Sequence, residues 1–203
     1  MVLKGEFLER ATLIPSGKHV LEGLWHRGAR SPAVLLVPPR PGEGSMDAAA
    51  LNELAFALTR AGHASLRFNF SGVGASQGQS KRLTELSRDL RAAARVLRES
   101  AGVEEVALVA FCSGGEVALE AIGEANRLVL ISPPDGLDLP ALAASSVETL
   151  VVLSSSDPAR PRYAAHCGAT GDRLALVDGA DPAWTRGLPQ LGREVVAYLG
   201  GAG

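Results

Sequence analysis

The sequence predicts an α/β protein whose mostly parallel central sheet carries helices on both faces. Three observations lead there. Short apolar runs recur along the chain, bounded by Gly, Pro and Ser. Between them lie stretches with apolar residues at helical spacing. The chain also opens on two strand-like runs joined by a tight turn, which predicts an antiparallel hairpin at the start of the sheet.

The elements follow in order. Residues 6–14 and 19–26 read as the hairpin strands, with Pro15-Ser16-Gly17 as their turn. Ala33 to Val37 is fully apolar, as expected of a parallel strand buried on both faces. After the loop Pro38 to Gly44, Ser45 is placed to cap a helix from Met46 to Ala61, with Leu51, Leu54, Ala55 and Leu58 on one face. His63 to Phe68 is the next strand, followed by the Gly-rich turn 71–74. Leu83 to Glu99 is a helix with Leu83, Leu86, Leu90, Ala94 and Leu97 aligned. Glu105 to Ala110 is a strand that leads into a helix at Gly115 to Ala121. Arg127 to Ile131, Thr149 to Leu153 and Arg173 to Val177 are further strands, and Leu188 to Leu199 is the last helix. The Gly200-Gly201-Ala202-Gly203 tail is expected to fray. A sheet of this kind presents its site at the carboxyl ends of its strands.

Composition sets the limits. A chain of 203 residues fits one domain, 1–203, with a sizeable core. Aromatic residues make up only 4%, so the core must come from Leu, Val and Ala. A net charge of −2 argues against nucleic acid or an anionic membrane as an obligate partner. The two cysteines, Cys112 and Cys167, are too few for a disulfide framework and lack metal-binding spacing. With no apolar leader or long apolar stretch, a cytoplasmic protein acting on a small molecule is the expectation.

One segment specifies chemistry. Val106 to Val109 runs into Ala110-Phe111-Cys112-Ser113-Gly114-Gly115, which reads as strand, sharp turn and helix with a nucleophile at the turn. Small neighbours are needed because the backbone there is tightly packed, and Ala110, Gly114 and Gly115 supply them. The N–H after the nucleophile can hold an oxyanion. The helix N-terminus is expected to lower the thiol pKa and favour thiolate. Cys112 is preferred to Ser113 as nucleophile. In the Ser113 register, Glu116 would stand where a small residue is wanted.

This segment resembles the G-x-S-x-G elbow of the α/β-hydrolase fold, in the Cys variant typical of dienelactone hydrolase. The run from Leu66 to Gly78, Leu-Arg-Phe-Asn-Phe-Ser-Gly-Val-Gly-Ala-Ser-Gln-Gly, is similar to the R-F-N-F-R-G-V-G-x-S-x-G segment of small, lidless bacterial members. Gly44-Ser45-Met46-Asp47 resembles their G-T-M-D junction. Ser132-Pro133-Pro134 and Asp157 fall at their later strand ends. The resemblance implies a lidless α/β-hydrolase fold. In it Cys112 attacks, the N–H groups of Ser113 and Arg40 hold the oxyanion, and Asp157 is the triad acid. No metal or organic cofactor is implied. Asp157-Pro158 is equally good turn chemistry.

The sequence departs from that pattern twice. Pro182 in Gly179-Ala180-Asp181-Pro182 stands where the family has its catalytic histidine. In the oxyanion loop Pro38-Pro39-Arg40-Pro41-Gly42 both family histidines are gone, and only Arg40 and Gly42 retain N–H groups. His166, Glu116 and Asp181 are the candidate substitute bases, and Arg40 is also a candidate for binding a ligand carboxylate or phosphate. His63 is expected on the wrong side of the sheet, and Trp184 is a candidate to line the pocket. Two main readings result. One is a Cys-dependent hydrolase or acyl transferase for a small ester, lactone or thioester. The other is a catalytically degenerate binding protein, with a non-hydrolytic cyclase or lyase as a further alternative.

Overall fold

Strands that are apolar at every position need cover on both faces, and the chain supplies it. The computed structural model describes residues 9–201. Its strands are β1 (Arg10–Ser16), β2 (His19–His26), β3 (Arg30–Val37), β4 (His63–Phe68), β5 (Val106–Phe111), β6 (Arg127–Ile131), β7 (Glu148–Ser154) and β8 (Arg173–Val177). The helices are α1 (Ala49–Ala61), α2 (Leu83–Ala101), α3 (Gly114–Glu120), α4 (Leu139–Ala144), α5 (Arg160–Thr170) and α6 (Leu188–Gly200). The strands form one sheet in the order β1-β2-β4-β3-β5-β6-β7-β8. The pairs β1·β2 and β2·β4 are antiparallel and the rest are parallel.

The pleat divides each central strand between two cores. In β5, Val106, Leu108 and Ala110 face the cluster built with α2, α3 and α5, whereas Ala107, Val109 and Phe111 face the one built with α1 and α6. Full burial of such a side chain contributes about 1.5–3 kcal/mol, so both faces are strongly specified. A one-residue slip would still bury every side chain of β5, but it would move Cys112 out of the turn.

The elements match the expected order, with local differences. The hairpin turn is Gly17-Lys18 rather than 15–17, with Gly17 at φ 59°. Pro15 stays in β1 because β1 is the sheet edge, where a missing N–H costs no ladder bond. Residues 6–8 of the expected first strand lie outside the described residues. Ser45 does not cap α1. Its Oγ accepts the Asp47 N–H, and the helix starts at Ala49. Gly200 is helical and its carbonyl accepts from Arg30, so the expected fraying does not include it; residues 202 and 203 lie outside the described residues. Helices α4 and α5 were not expected as full elements. Among the described residues, no helix is long and apolar enough to cross a membrane.

The topology locates a crevice. The chain leaves β3 for β4 on one side and returns to β5 on the other. The loops after β3 and β5 therefore diverge above the strand ends, where sheets of this type bind ligands.

Candidate active site

Cys112 sits at the apex of the turn between β5 and α3. Its φ is 50°, a left-handed conformation that costs an L-residue about 1–2 kcal/mol. Its N–H donates to the Ile131 carbonyl at 2.9 Å and its carbonyl accepts the Gly115 N–H at 3.0 Å, so β6 and α3 hold the turn from both ends. Gly114 is required, since a Cβ there would collide with the Pro38 carbonyl oxygen. Ser113 is right-handed (φ −63°) and buried, which makes Cys112 the residue presented at the apex.

The thiol is not activated. Burial raises its pKa to about 11, and the Glu43 and Asp157 carboxylates push the same way. This reverses the expected effect of the helix N-terminus. Helix α3 has only seven residues, and desolvation together with two nearby negative charges outweighs it. Near pH 7 the protonated form therefore predominates.

The expected oxyanion loop is engaged with the elbow and α3. The Arg40 N–H, expected to face a substrate oxygen, donates to Ser113 Oγ at 3.0 Å. The Arg40 guanidinium donates to Glu116 Oε2 at 2.7 Å, which also removes Glu116 as a free base. The Ser113 N–H has no hydrogen-bond partner among the described residues.

Asp157 follows β7 and is buried. Its Oδ1 accepts the Ala159 N–H at 2.9 Å and its Oδ2 accepts the Ser132 hydroxyl at 3.1 Å. Ser132 Oγ in turn accepts the Trp184 indole N–H at 3.0 Å. Trp184 is fully buried, two residues beyond the exposed Pro182. A tryptophan, working through a serine, thus connects the loop after β8 to the acid. No histidine hydrogen-bonds to Asp157 or Cys112 among the described residues.

The other candidate bases are placed elsewhere. His166 lies on α5, with Nε2 3.2 Å from Asp172 Oδ2 but not aligned for a hydrogen bond. Asp172 precedes β8, so this pair sits at the amino-end edge of the sheet, opposite Cys112. Asp181 caps its own loop, accepting from the Ala183 and Thr185 N–H groups and the Thr185 hydroxyl. The hydroxyl bond is the main reason its pKa is lowered. His63 is buried with Nδ1 2.8 Å from the Pro32 carbonyl, near the start of β4.

The similar loop segment 66–78 is scaffolding. The Arg67 guanidinium donates to Glu9, Asp47, Asn52 and the Met46 carbonyl. Asn69 ties the Met46 N–H to Glu22, and Glu22 also accepts the Ala75 N–H. Gly74 has φ 57°, and a Cβ there would strike Glu22 and Asn69.

The fold has counterparts in solved structures. An α/β serine hydrolase homologue from Coxiella burnetii superposes with a TM-score of 0.81 at 22% identity, covering 98% of this chain and 99% of that one. An α/β serine hydrolase without a lid from Xanthomonas campestris gives 0.75 at 23% identity, covering 94% and 93%. The chain has the α/β-hydrolase fold. Est1E from Butyrivibrio proteoclasticus, solved with ferulic acid bound, shares this fold at a TM-score of 0.78 and 14% identity, covering 93% and 97%. No family model matches the chain. No curated protein matches it significantly.

Sequence reading underrated Ser132 and Trp184. A polar residue directly after a buried strand at the carboxyl edge was the available signal for Ser132. For Trp184 it was an indole N–H that must find a partner once buried.

Proposed function

We propose that this chain uses the α/β-hydrolase fold to bind a small molecule without hydrolytic turnover. The observation that carries this reading is the Trp184–Ser132–Asp157 chain. A triad acid serves to orient and stabilise an imidazole. Here the Asp157 oxygens accept from Ser132 and Ala159, no histidine bonds to either among the described residues, and the loop that would carry the imidazole delivers a buried indole. An indole N–H donates only and cannot accept a proton. The protonated thiol and the occupied Arg40 N–H point the same way. Two free thiols suit a cytoplasmic location.

The strained elbow favours a second reading, in which the chain is a Cys-dependent hydrolase or acyl transferase for small esters, lactones or thioesters. The left-handed Cys112 and the unpartnered Ser113 N–H match what nucleophilic attack requires. In that reading the Cys112 sulfur attacks the acyl carbon, the leaving group departs, and a thioester remains. Releasing it needs a general base worth about 10²–10⁴-fold.

A panel of p-nitrophenyl esters and thioesters, followed for both turnover and intact mass, decides between them. The expected result is no multiple turnover. Multiple turnover that disappears in Cys112→Ala would establish the hydrolase instead. A single stoichiometric adduct on Cys112 would identify an acyl acceptor that stalls.

A further inference from the structure

A cleft of 650 Å³ opens between the loop after β3 and the Gly-rich loop after β4. Arg40 and Gly42 contribute one wall, and Gly72, Gln79, Ser80 and Lys81 the other. The charged side chains lining it are both cations, Arg40 and Lys81, in a chain of net charge −2. Lys81 is exposed, and its ammonium has no acidic partner among the described residues. Arg40 commits one amino group to Glu116, which leaves its other N–H donors available.

Both walls are preorganised. The Gly-rich wall is held by Gly72 N–H to the Ser76 carbonyl, Ser80 N–H to the Ser71 carbonyl and Gln77 N–H to the Val20 carbonyl. The opposite wall is fixed by the Arg40 N–H bond to Ser113 Oγ and by Pro41.

We infer that this cleft binds the anionic group of the ligand, a carboxylate or a phosphate, through Arg40 and Lys81. The inference rests on the small-molecule reading above. Charge-assisted bonds to a guanidinium and an ammonium are the chemistry that recognises such a group.

Equilibrium binding tests this without thiol chemistry, so its failure leaves the ester-panel result standing, and the reverse also holds. Amide resonances of the whole protein are followed at low ionic strength during titration with inorganic phosphate, glutarate and the neutral isostere glutaramide. Shifts are expected at Gly72, Gln79 and Ser80, with glutarate or phosphate binding about tenfold or more tightly than glutaramide, and weakening as salt rises. Lys81→Gln should weaken anion binding about tenfold and Lys81→Arg should restore it. The tighter of the two anions identifies the group as carboxylate or phosphate. Equal binding of glutaramide, unchanged anion affinity in Lys81→Gln, shifts confined to other regions, or no binding of either anion would overturn the inference.

Discussion

The two halves of the crevice differ in what they have kept. On the elbow side, β3 and β5 still present Cys112 in a strained turn beside an unpartnered Ser113 N–H. On the acid side, β6, β7 and β8 have turned Ser132, Asp157 and Trp184 into a closed hydrogen-bonded chain. Among the described residues, the positive-φ residues other than glycine are Cys112, Ser132 and Trp184 (50°, 42° and 55°), so strain is concentrated on both sides of this one crevice. On the acid side the strain is matched by buried polar bonds. On the elbow side it presents a thiol whose pKa burial raises to about 11. Strain of this kind persists only where the surroundings over-determine it, and the two sides therefore respond to mutation in opposite directions.

The largest effect is expected at Trp184. Trp184→Ala removes a fully buried indole and its bond to Ser132, and should cost about 3–5 kcal/mol in denaturant unfolding. A loss below about 1 kcal/mol would mean that the acid side is not the structural half. The elbow side is tested by reactivity. With a thiol pKa of about 11, alkylation of Cys112 by iodoacetamide should rise about tenfold per pH unit, or about a thousandfold from pH 7 to pH 10, with no plateau between. The sign follows from the raised pKa, because the reactive thiolate accumulates only as pH climbs toward that value. Mass mapping separates Cys112 from buried Cys167, whose pKa is also raised to about 11. A plateau near neutral pH would show a stabilised thiolate and revive the hydrolase.

Smaller changes sharpen the contrast. Asp157→Asn keeps the shape and can still accept the Ala159 N–H, but its NH2 then faces Ser132, whose hydroxyl must turn from donor to acceptor and lose its charge-assisted bond. A loss of about 1–3 kcal/mol is expected by thermal or chemical denaturation. Cys112→Gly should go the other way, gaining about 1 kcal/mol, because glycine accepts φ 50° without strain. A loss of similar size would show that the elbow is packed for stability rather than presentation.

Most of the fold was legible because buried parallel strands are apolar throughout and α2 keeps one face apolar over its length. The elements that escaped carry weak patterns. Helix α4 has six residues, and α5 contains Pro161 and Gly168 and buries only Tyr163, His166 and Cys167. The position of the site was legible in the small residues around Cys112. Its wiring was not. Arg40 meets Glu116 across 76 positions and Trp184 meets Ser132 across 52, and no local pattern specifies such pairs. Pro182 stood out against the resembled pattern, but the indole that bonds to Ser132 lies two residues further on.

That last point yields the smallest expected effect and the most discriminating one. If the acid side had lost a single part, Pro182→His would restore a base and raise ester turnover by about 10²–10⁴-fold. The structure argues against such a rescue. Pro182 is exposed, both oxygens of Asp157 already accept hydrogen bonds, and the Trp184 indole holds Ser132 against the acid. An imidazole at exposed position 182 would have to reach a buried carboxylate already bonded by Ser132 and Ala159, and the Cys112 thiol would stay protonated. Turnover of p-nitrophenyl acetate by Pro182→His should therefore remain within about twofold of the parent, since the base effect needs a positioned, oriented group. A hundredfold rise would show that the acid side is still a triad lacking only its histidine, and would erase the distinction between the two halves.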